Sequence, residues 1–313
     1  MKRRHLGKTG LLVSELALGT WGLSGDGYGA VEPEEAERTV LRALDIGMSL
    51  IDTSDAYGGG KTEAMLGRIL EGKDAIVLTR GGTDRLTEPP TQSFAPEHLE
   101  PAVGRSLKRM RRERIDLYLL HNPGTETLRK GEATDAVKAM VKAGKIAHWG
   151  AAVGDVDSAR AALEQGAEVL EIAYNLFHSH DLHVIAGDVM VAGAGVLARS
   201  TLGYGLLAGM WTRDREFPQG DHRRERWTKL ELARRIEQLD AVRFLVKRDV
   251  QSMRAAAIRF VLANHLVAAA VLGPRSVVQL EQLIREVGSG PTYLPEVDLA
   301  ALPRALSRFG IAT

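Results

Sequence analysis

Short apolar runs alternate with longer amphipathic stretches along almost the whole chain. The strand-like runs are Leu16–Leu18, Ser49–Ile51, Ala75–Thr79, Ile115–Leu120, Ile146–Trp149, Val169–Ala173, Gly195–Ala198 and Val267–Leu272. Between them, helical periodicity falls on Pro33–Asp45, Thr62–Leu70, Pro96–Met110, Ala133–Ala143, Asp155–Gln165 and Asp181–Ala192. Pro33 and Pro96 stand where a helix's first turn tolerates a missing N–H, and Gly47, Gly144 and Gly166 stand where helices end. Such alternation predicts parallel strands joined by helical crossovers. Eight strands spread over about 260 residues fit a closed (β/α)8 TIM barrel better than an open sheet. The opening Arg4–Val13 segment reads instead as a small hairpin turning at Lys8-Thr9-Gly10, placed to cap the barrel's lower end. Extra helices are expected near the C-terminus, and residues 1–313 read as one domain.

Two irregular segments, Gly81–Ala95 and Leu202–Arg226, interrupt the rhythm after the third and seventh strands. On a barrel these loops lie on the face that carries function. The competing open nucleotide-binding sheet lacks its fingerprint. Neither Gly19-Thr-Trp-Gly22 nor Gly203-Tyr-Gly-Leu-Leu-Ala-Gly209 has the Gly-x-Gly-x-x-Gly spacing after a first strand. Gly7-Lys8-Thr9 imitates the end of a phosphate loop but has no strand and glycine before it.

Composition narrows the function classes. With 41 basic against 40 acidic residues, nothing drives association with nucleic acid or an anionic membrane. The basic clusters Lys2-Arg3-Arg4 and Arg109, Arg111, Arg112 read as solvated faces. The absence of cysteine excludes disulfides, a thiol nucleophile and a thiolate-bound metal. No apolar h-region follows Met1-Lys-Arg-Arg4, and no run approaches the roughly 18 residues of a membrane span. A cytoplasmic location is the expectation.

Chemistry concentrates at the ends of the predicted strands. Asp52 and Tyr57 follow the second strand, and Tyr57-Gly-Gly-Gly60 prevents that strand from continuing. Arg80 ends the third and His121 the fourth. A carboxylate and a phenol just past a strand suit a cleft where one charge tunes another's proton affinity. A turn-closing Tyr with a capping Asp is the structural alternative.

In order along the chain come Leu18-Gly-Thr-Trp21, Asp52-Thr-Ser-Asp-Ala-Tyr57-Gly, Asp116-Leu-Tyr-Leu-Leu-His121, Gly144-Lys-Ile146, Ala173-Tyr-Asn175, Arg199-Ser-Thr-Leu-Gly203 and Gly273-Pro-Arg275-Ser276. This series resembles the aldo-keto reductases over nearly the whole length. The resemblance implies an NADPH-dependent carbonyl reductase. In it Tyr57 protonates the carbonyl oxygen, Asp52 anchors a basic neighbour and His121 orients the substrate oxygen. The family's cation at the end of the third strand is a lysine; here Arg80 stands there. A guanidinium can stabilise a phenolate, but it stays protonated and cannot relay a proton. A plain ion pair with Asp52 or Asp84 is the structural alternative for Arg80.

The resemblance also places the cofactor. Thr20, Trp21, Asp52 and Glu171 face its nicotinamide half, and Arg199, Ser200, Thr201, Leu202 and Gly203 cover the pyrophosphate with help from Arg223. Gly273, Arg275, Ser276, Gln279 and Gln282 take the adenosine end, where an Arg beside a helix N-terminus favours the 2′-phosphate of NADP. Departures accumulate as well. Ala152-Val153 replaces a Ser-Asn pair, Glu171 replaces a Gln, and Gln282-Leu283 replaces Glu-Asn.

His178, His180 and His183 have partly zinc-like spacing, but no second ligand cluster accompanies them, and they read as rim residues with no metal. Tyr174 reads either as a residue near the cofactor or as strand-end packing. Trp21, Tyr28, the Gly81–Ala95 loop and Trp211 are expected to wall the substrate site. The rival to a small-molecule carbonyl reductase is a nicotinamide-binding module with little turnover, as in the potassium-channel β subunits. Substrate identity and oligomeric state are not legible.

Overall fold

Inward-pointing apolar side chains on eight parallel strands pull the sheet closed on itself. The computed structural model describes residues 1–84, 87, 89, 91–288 and 293–312. A hairpin of β1 (Arg3–His5) and β2 (Leu12–Ser14) opens the chain. Barrel strands β3 (Leu16–Gly19), β4 (Leu50–Asp52) and β5 (Ile76–Gly81) follow. After a two-stranded flap of β6 (Thr83–Asp84) and β7 (Thr91–Gln92) come β8 (Ile115–His121), β9 (Ile146–Val153), β10 (Val169–Ala173), β11 (Gly195–Arg199) and β12 (Val267–Leu272). Parallel pairing of β12 with β3 closes the ring. The predicted (β/α)8 TIM barrel and its N-terminal hairpin are what is found.

The interior is a plug of Ala17, Leu50, Leu78, Leu117, Leu119, Val169, Leu197, Ala269 and Val271. A larger apolar layer lies between strands and helices. Leu6 is fully buried and the Lys8 N–H donates to Gly193 O at 3.0 Å, so the hairpin seals the end where β11 starts. The backbone N–H groups of Ser14 and Ser49 bond the partner's hydroxyl at 2.8 and 2.9 Å, tying β2 to the approach to β4.

Helices α1 (Pro33–Asp45), α2 (Lys61–Ile69), α3 (Pro96–Met110), α4 (Thr125–Lys130), α5 (Glu132–Lys142) and α6 (Val156–Glu164) fill the first crossovers. The stretch read as one helix over Asp181–Ala192 is two, α7 (His180–Val184) and α8 (Ala186–Ala192), broken at the buried Ile185. After the short α9 (Arg223–Arg226) come α10 (Lys229–Ala241) and α11 (Met253–Ala263). Nine of the eleven residues of α11 are buried, so it has no polar stripe to betray a helical period. The chain finishes with α12 (Val277–Val287) and α13 (Glu296–Ser307), the extra C-terminal helix. No helix among the described residues is long and apolar enough to cross a membrane.

The basic clusters are less solvated than expected. Arg4 donates to the carbonyls of Val267 and Leu262 at 2.9 and 2.8 Å beneath the barrel. Arg109 binds the fully buried Glu63 at 2.7 Å, and Arg112 binds Asp116 at 2.7 Å and Ala75 O at 3.0 Å. Each guanidinium satisfies acceptors that burial would otherwise strand, while its stem covers apolar surface. Arg111 alone of the second cluster lies largely in water, against Glu71 at 3.3 Å.

Gly58, Gly59 and Gly60 all adopt positive φ (58°, 63° and 87°), which swings the chain from Tyr57 into α2. A Cβ on Gly60 would meet Arg109 Nε at 2.8 Å, the group that neutralises Glu63. Gly60→Ala should therefore lower stability by about 2–4 kcal/mol in chemical denaturation. Gly10→Ala, equally left-handed but with no atom within 4 Å, should lose only about 1 kcal/mol.

Candidate active site

Alternation along the strands decides which polar side chains enter the barrel. Leu50, Leu78, Leu119 and Val169 belong to the inner plug. Two residues further on, on the same face, come Asp52, Arg80, His121 and Glu171. All four are buried, Glu171 most deeply at 1% exposure. The guanidinium of Arg80 donates through Nη2 to Asp52 on the adjacent strand and through Nη1 to Glu171, three strands round the ring. Nη2 also lies 3.2 Å from the other Glu171 oxygen, and Nε donates to Thr53 O at 3.3 Å. A planar guanidinium fork reaches two carboxyl groups and a carbonyl in separate, fixed directions, whereas an ammonium is a compact point of charge. The side chain of Asp84, the other partner considered for Arg80, lies outside the described residues.

The loop after β4 is bonded downward as it leaves the sheet. Thr20 donates through N and Oγ1 to Asp52 O, both at 2.9 Å, and Asp55 N donates to Arg80 O at 3.1 Å. This brings Tyr57 over the strand ends with its ring stacked on Trp21, centroids 6.5 Å apart. His121 reaches the same end, because Arg80 pairs with Leu119 in register. Its carbonyl accepts from Thr83 Oγ1 at 2.9 Å, tying the β6–β7 flap to the rim. The flap covers part of the Gly81–Ala95 segment; Arg85, Leu86, Glu88 and Pro90 of that expected wall lie outside the described residues.

Aromatic rings line the mouth. Trp21 packs edge-on to Tyr28 at 5.0 Å and against His222 at 4.7 Å, and Tyr204 meets His222 at 5.4 Å. A bridge between Tyr28 and Asp221 and a 3.0 Å bond from His222 N to Gly27 O strap the Leu202–Arg226 segment across. Arg223, expected at the pyrophosphate, is held by Asp221 (Nε 2.8 Å) and lies over the rings of Tyr28, Trp211 and Phe217. It organises the strap, because a cation amid π faces and a carboxylate is already satisfied. His222, Tyr204, Phe217 and Trp227 were not legible as site neighbours, since an irregular segment has no period to orient its side chains.

The other expected cofactor residues lie along one edge. Ser200 and Tyr204 take left-handed φ (56° and 60°) in the loop after β11, and Asn175 Nδ2 fixes Ser200 O at 3.0 Å. Thr201 Oγ1 donates to Ala198 O and Val271 O at 3.2 Å, Leu202 packs on the outer core, and Gly203 N donates to Ser200 O at 2.8 Å. Arg199 donates through Nη2 to Val153 O at 3.0 Å, while its Nε is buried without a partner among the described residues. A Cβ on Gly273 would meet only Gly19 O, at 3.9 Å. Arg275 donates through Nη2 to the carbonyls of Gly29 and Ala30 and through its backbone N–H to Gln279, all at 2.9 Å. Ser276 Oγ caps α12 by accepting from Gln279 N at 3.2 Å. Gln282 turns away to Glu286 at 2.9 Å, and both Glu171 oxygens face Arg80. Tyr174 is packing: its ring stacks on Phe260 at 5.3 Å and its hydroxyl meets His183 and Asn264. Among the described residues no group of three His, Asp or Glu side chains could hold a metal.

Known proteins share this fold and sequence pattern. The sequence model of the Aldo/keto reductase family matches residues 15–288. The chain belongs to that family. It is 29% identical over 299 residues to Aldo-keto reductase YhdN of Bacillus subtilis, covering 92% of this chain and 89% of that protein. It is 25% identical over 310 residues to L-glyceraldehyde 3-phosphate reductase of Escherichia coli, covering 92% and 88%. The glycerol dehydrogenase AKR11B4 from Gluconobacter oxydans superposes with a TM-score of 0.85 at 27% identity, covering 100% of this chain and 97% of that one. The holo form of AKR11C1 from Bacillus halodurans shares the fold, with a TM-score of 0.81 at 23% identity and coverage of 97% and 96%. This aldo-keto reductase therefore has an oxidoreductase kind of function.

Behind the Tyr57 loop lies a second buried polar cluster. Glu63 accepts from Thr79 Oγ1 at 2.6 Å and from Arg109. A Cβ on Gly81 would strike the Tyr118 hydroxyl and Asp55 Oδ2, at 2.4 and 3.0 Å, so both groups border that backbone. Burial, reinforced by the Glu63 charge, pushes the Asp55 carboxyl up to about 7 against the opposing pull of Arg109, Ser54 and Arg105. Burial likewise raises the Tyr118 phenol. Asp55 keeps its proton in the folded chain where the unfolded chain has lost it. Its contribution to stability is thus complete below the ordinary 3.8 and lost as pH rises through about 7. Asp55→Asn should flatten the fall in stability between about pH 4 and pH 8, read from denaturation midpoints across that range.

Proposed function

We propose that the chain reduces an aldehyde or ketone to an alcohol with a nicotinamide dinucleotide, Tyr57 acting as the general acid. The observation that carries this reading is the shared strand-end position of the Tyr57 phenol, His121 and the Asp52–Arg80 pair beneath an aromatic mouth. The cofactor, when bound, supplies hydride to the carbonyl carbon. Tyr57 Oη gives its proton to the carbonyl oxygen, which becomes the product hydroxyl. A phenol with an ordinary pKa near 10 needs its conjugate base stabilised at neutral pH, and Arg80 is the cation available for that. The guanidinium holds its own proton, so Tyr57 is recharged from water or through His121. His121 orients the substrate oxygen.

Two observations support the dinucleotide. Buried Nε–H groups on Arg199 and Arg275 lack partners among the described residues, as suits arginines awaiting an anion, and the edge beside Gly273 is open. Thr20, Trp21, the Arg199–Gly203 loop and the Gly273–Gln279 segment would hold it. The aromatic walls favour an apolar carbonyl compound, with Trp21 beside the acid.

Arg80 and Glu171 are best read together. Where the resemblance puts Lys and Gln, this chain has Arg and Glu, and the second carboxyl group gives the wider cation its second partner. A second reading, a dinucleotide-binding protein of low turnover, draws on this same feature, since Glu171 competes with the phenolate for the guanidinium. Loss of dinucleotide fluorescence quenching would sink both readings, whereas quenching without turnover on a panel of aldehydes and ketones would select the second.

Tyr57→Phe should cut turnover by about 10²–10⁴-fold and spare dinucleotide binding. Arg80→Lys alone leaves Glu171 half-partnered in a dry interior and should lose about 3 kcal/mol of stability along with activity. Arg80→Lys/Glu171→Gln should recover much of both. A double mutant no better than Arg80→Lys in melting and in steady-state turnover would show that the two side chains are not coupled.

A further inference from the structure

The start of α12 is where a 2′-phosphate is expected, and it is already occupied by an anion of the chain's own. Glu35, on α1, accepts from the first helical N–H, that of Val277, at 2.9 Å. Its other oxygen accepts from Arg38 Nη2 at 2.6 Å. The Arg38 bond first, and the Val277 N–H second, hold the Glu35 carboxyl below its usual range. The third helical N–H, of Gln279, is taken by Ser276 Oγ, and the Gln279 side chain turns back to Arg275 N. Arg275 itself reaches away, its Nη2 shared between the carbonyls of Gly29 and Ala30. Val277 N–H, Gln279 N–H and Arg275 Nη2 are therefore engaged with the protein, the buried Arg275 Nε has no partner among the described residues, and a carboxylate stands at the helix start.

We propose that Glu35 sets the choice of dinucleotide, so that this chain binds NADH at least as tightly as NADPH. This rests on the cofactor-dependent reading above and deepens it by naming the nucleotide: the 2′-phosphate that the resemblance implies at Arg275 and Ser276 meets a like charge. To seat that group, α12 must release Glu35, or a phosphate with roughly two negative charges must sit beside a carboxylate. NADH carries only hydroxyls at this position and leaves the Glu35 cap intact. Glu35 is partly exposed, so solvent and salt weaken the repulsion, and the expected discrimination is about tenfold rather than thousandfold.

The test is calorimetric titration of the full chain with NADH and with NADPH, for wild type and Glu35→Gln. The amide keeps an acceptor for Val277 N–H while removing the charge, and an unchanged melting temperature confirms that the helix start is intact. Wild type should bind NADH as tightly as NADPH or more so. Glu35→Gln should tighten NADPH about tenfold and leave NADH within about twofold. Tighter binding of NADPH than NADH by wild type overturns the proposal, as does a variant that moves both dinucleotides equally or neither. Binding of neither dinucleotide by wild type would overturn the cofactor-dependent reading itself, and this inference with it.

Discussion

A guanidinium buried among two carboxyl groups is costly to desolvate, and it persists only while every partner is held in place. Arg80 is in that position inside the barrel, with Asp52 beside it and Glu171 three strands away. Ring closure makes this possible, because an open sheet would leave β5 and β10 on separate stretches of surface. The leucine and valine plug beneath shuts out water from below, which strengthens each bond above it. The price is rigidity: the cation at the proposed site has little freedom to follow a reacting phenol.

Rigidity in the floor is matched by loops bonded to the strand ends. The segment from Asp52 to Tyr57 goes on bonding to β5 after the sheet has ended, and three left-handed glycines then turn it into α2. The buried Asp55–Glu63–Tyr118 cluster lies directly behind that segment. The position of Tyr57 therefore depends on polar groups that never face the mouth. On the opposite side Arg223 gathers Asp221 and three aromatic rings into a strap.

Charge is arranged differently at the two ends of the proposed cofactor edge. In the loop after β11, Arg199 keeps a buried donor without a partner among the described residues. At the start of α12 the Val277, Gln279 and Arg275 backbone N–H groups are already taken by Glu35, Ser276 and Gln279, while the buried Arg275 Nε has no partner among the described residues. Both ends use the same elementary fact, that helix starts and guanidinium groups seek anions. They differ in whether the chain supplies the anion itself.

Sequence alone determined the barrel, because period-two strands and period-3.6 helices leave their marks locally and eight such alternations admit few other closures. It also delivered Asp52, Tyr57, Arg80 and His121 as strand-end groups, since each follows an apolar run by a fixed, countable step. It read Arg80 and Glu171 as two separate departures, whereas folding made them one interaction between residues 91 positions apart. The seating of Arg223 on Asp221, the embrace of Glu63 by Arg109 and the Glu35 cap on α12 were decided by tertiary structure. In each, what a charge does depends on which acceptor ends up within about 3 Å, and no local pattern encodes a distance across the fold.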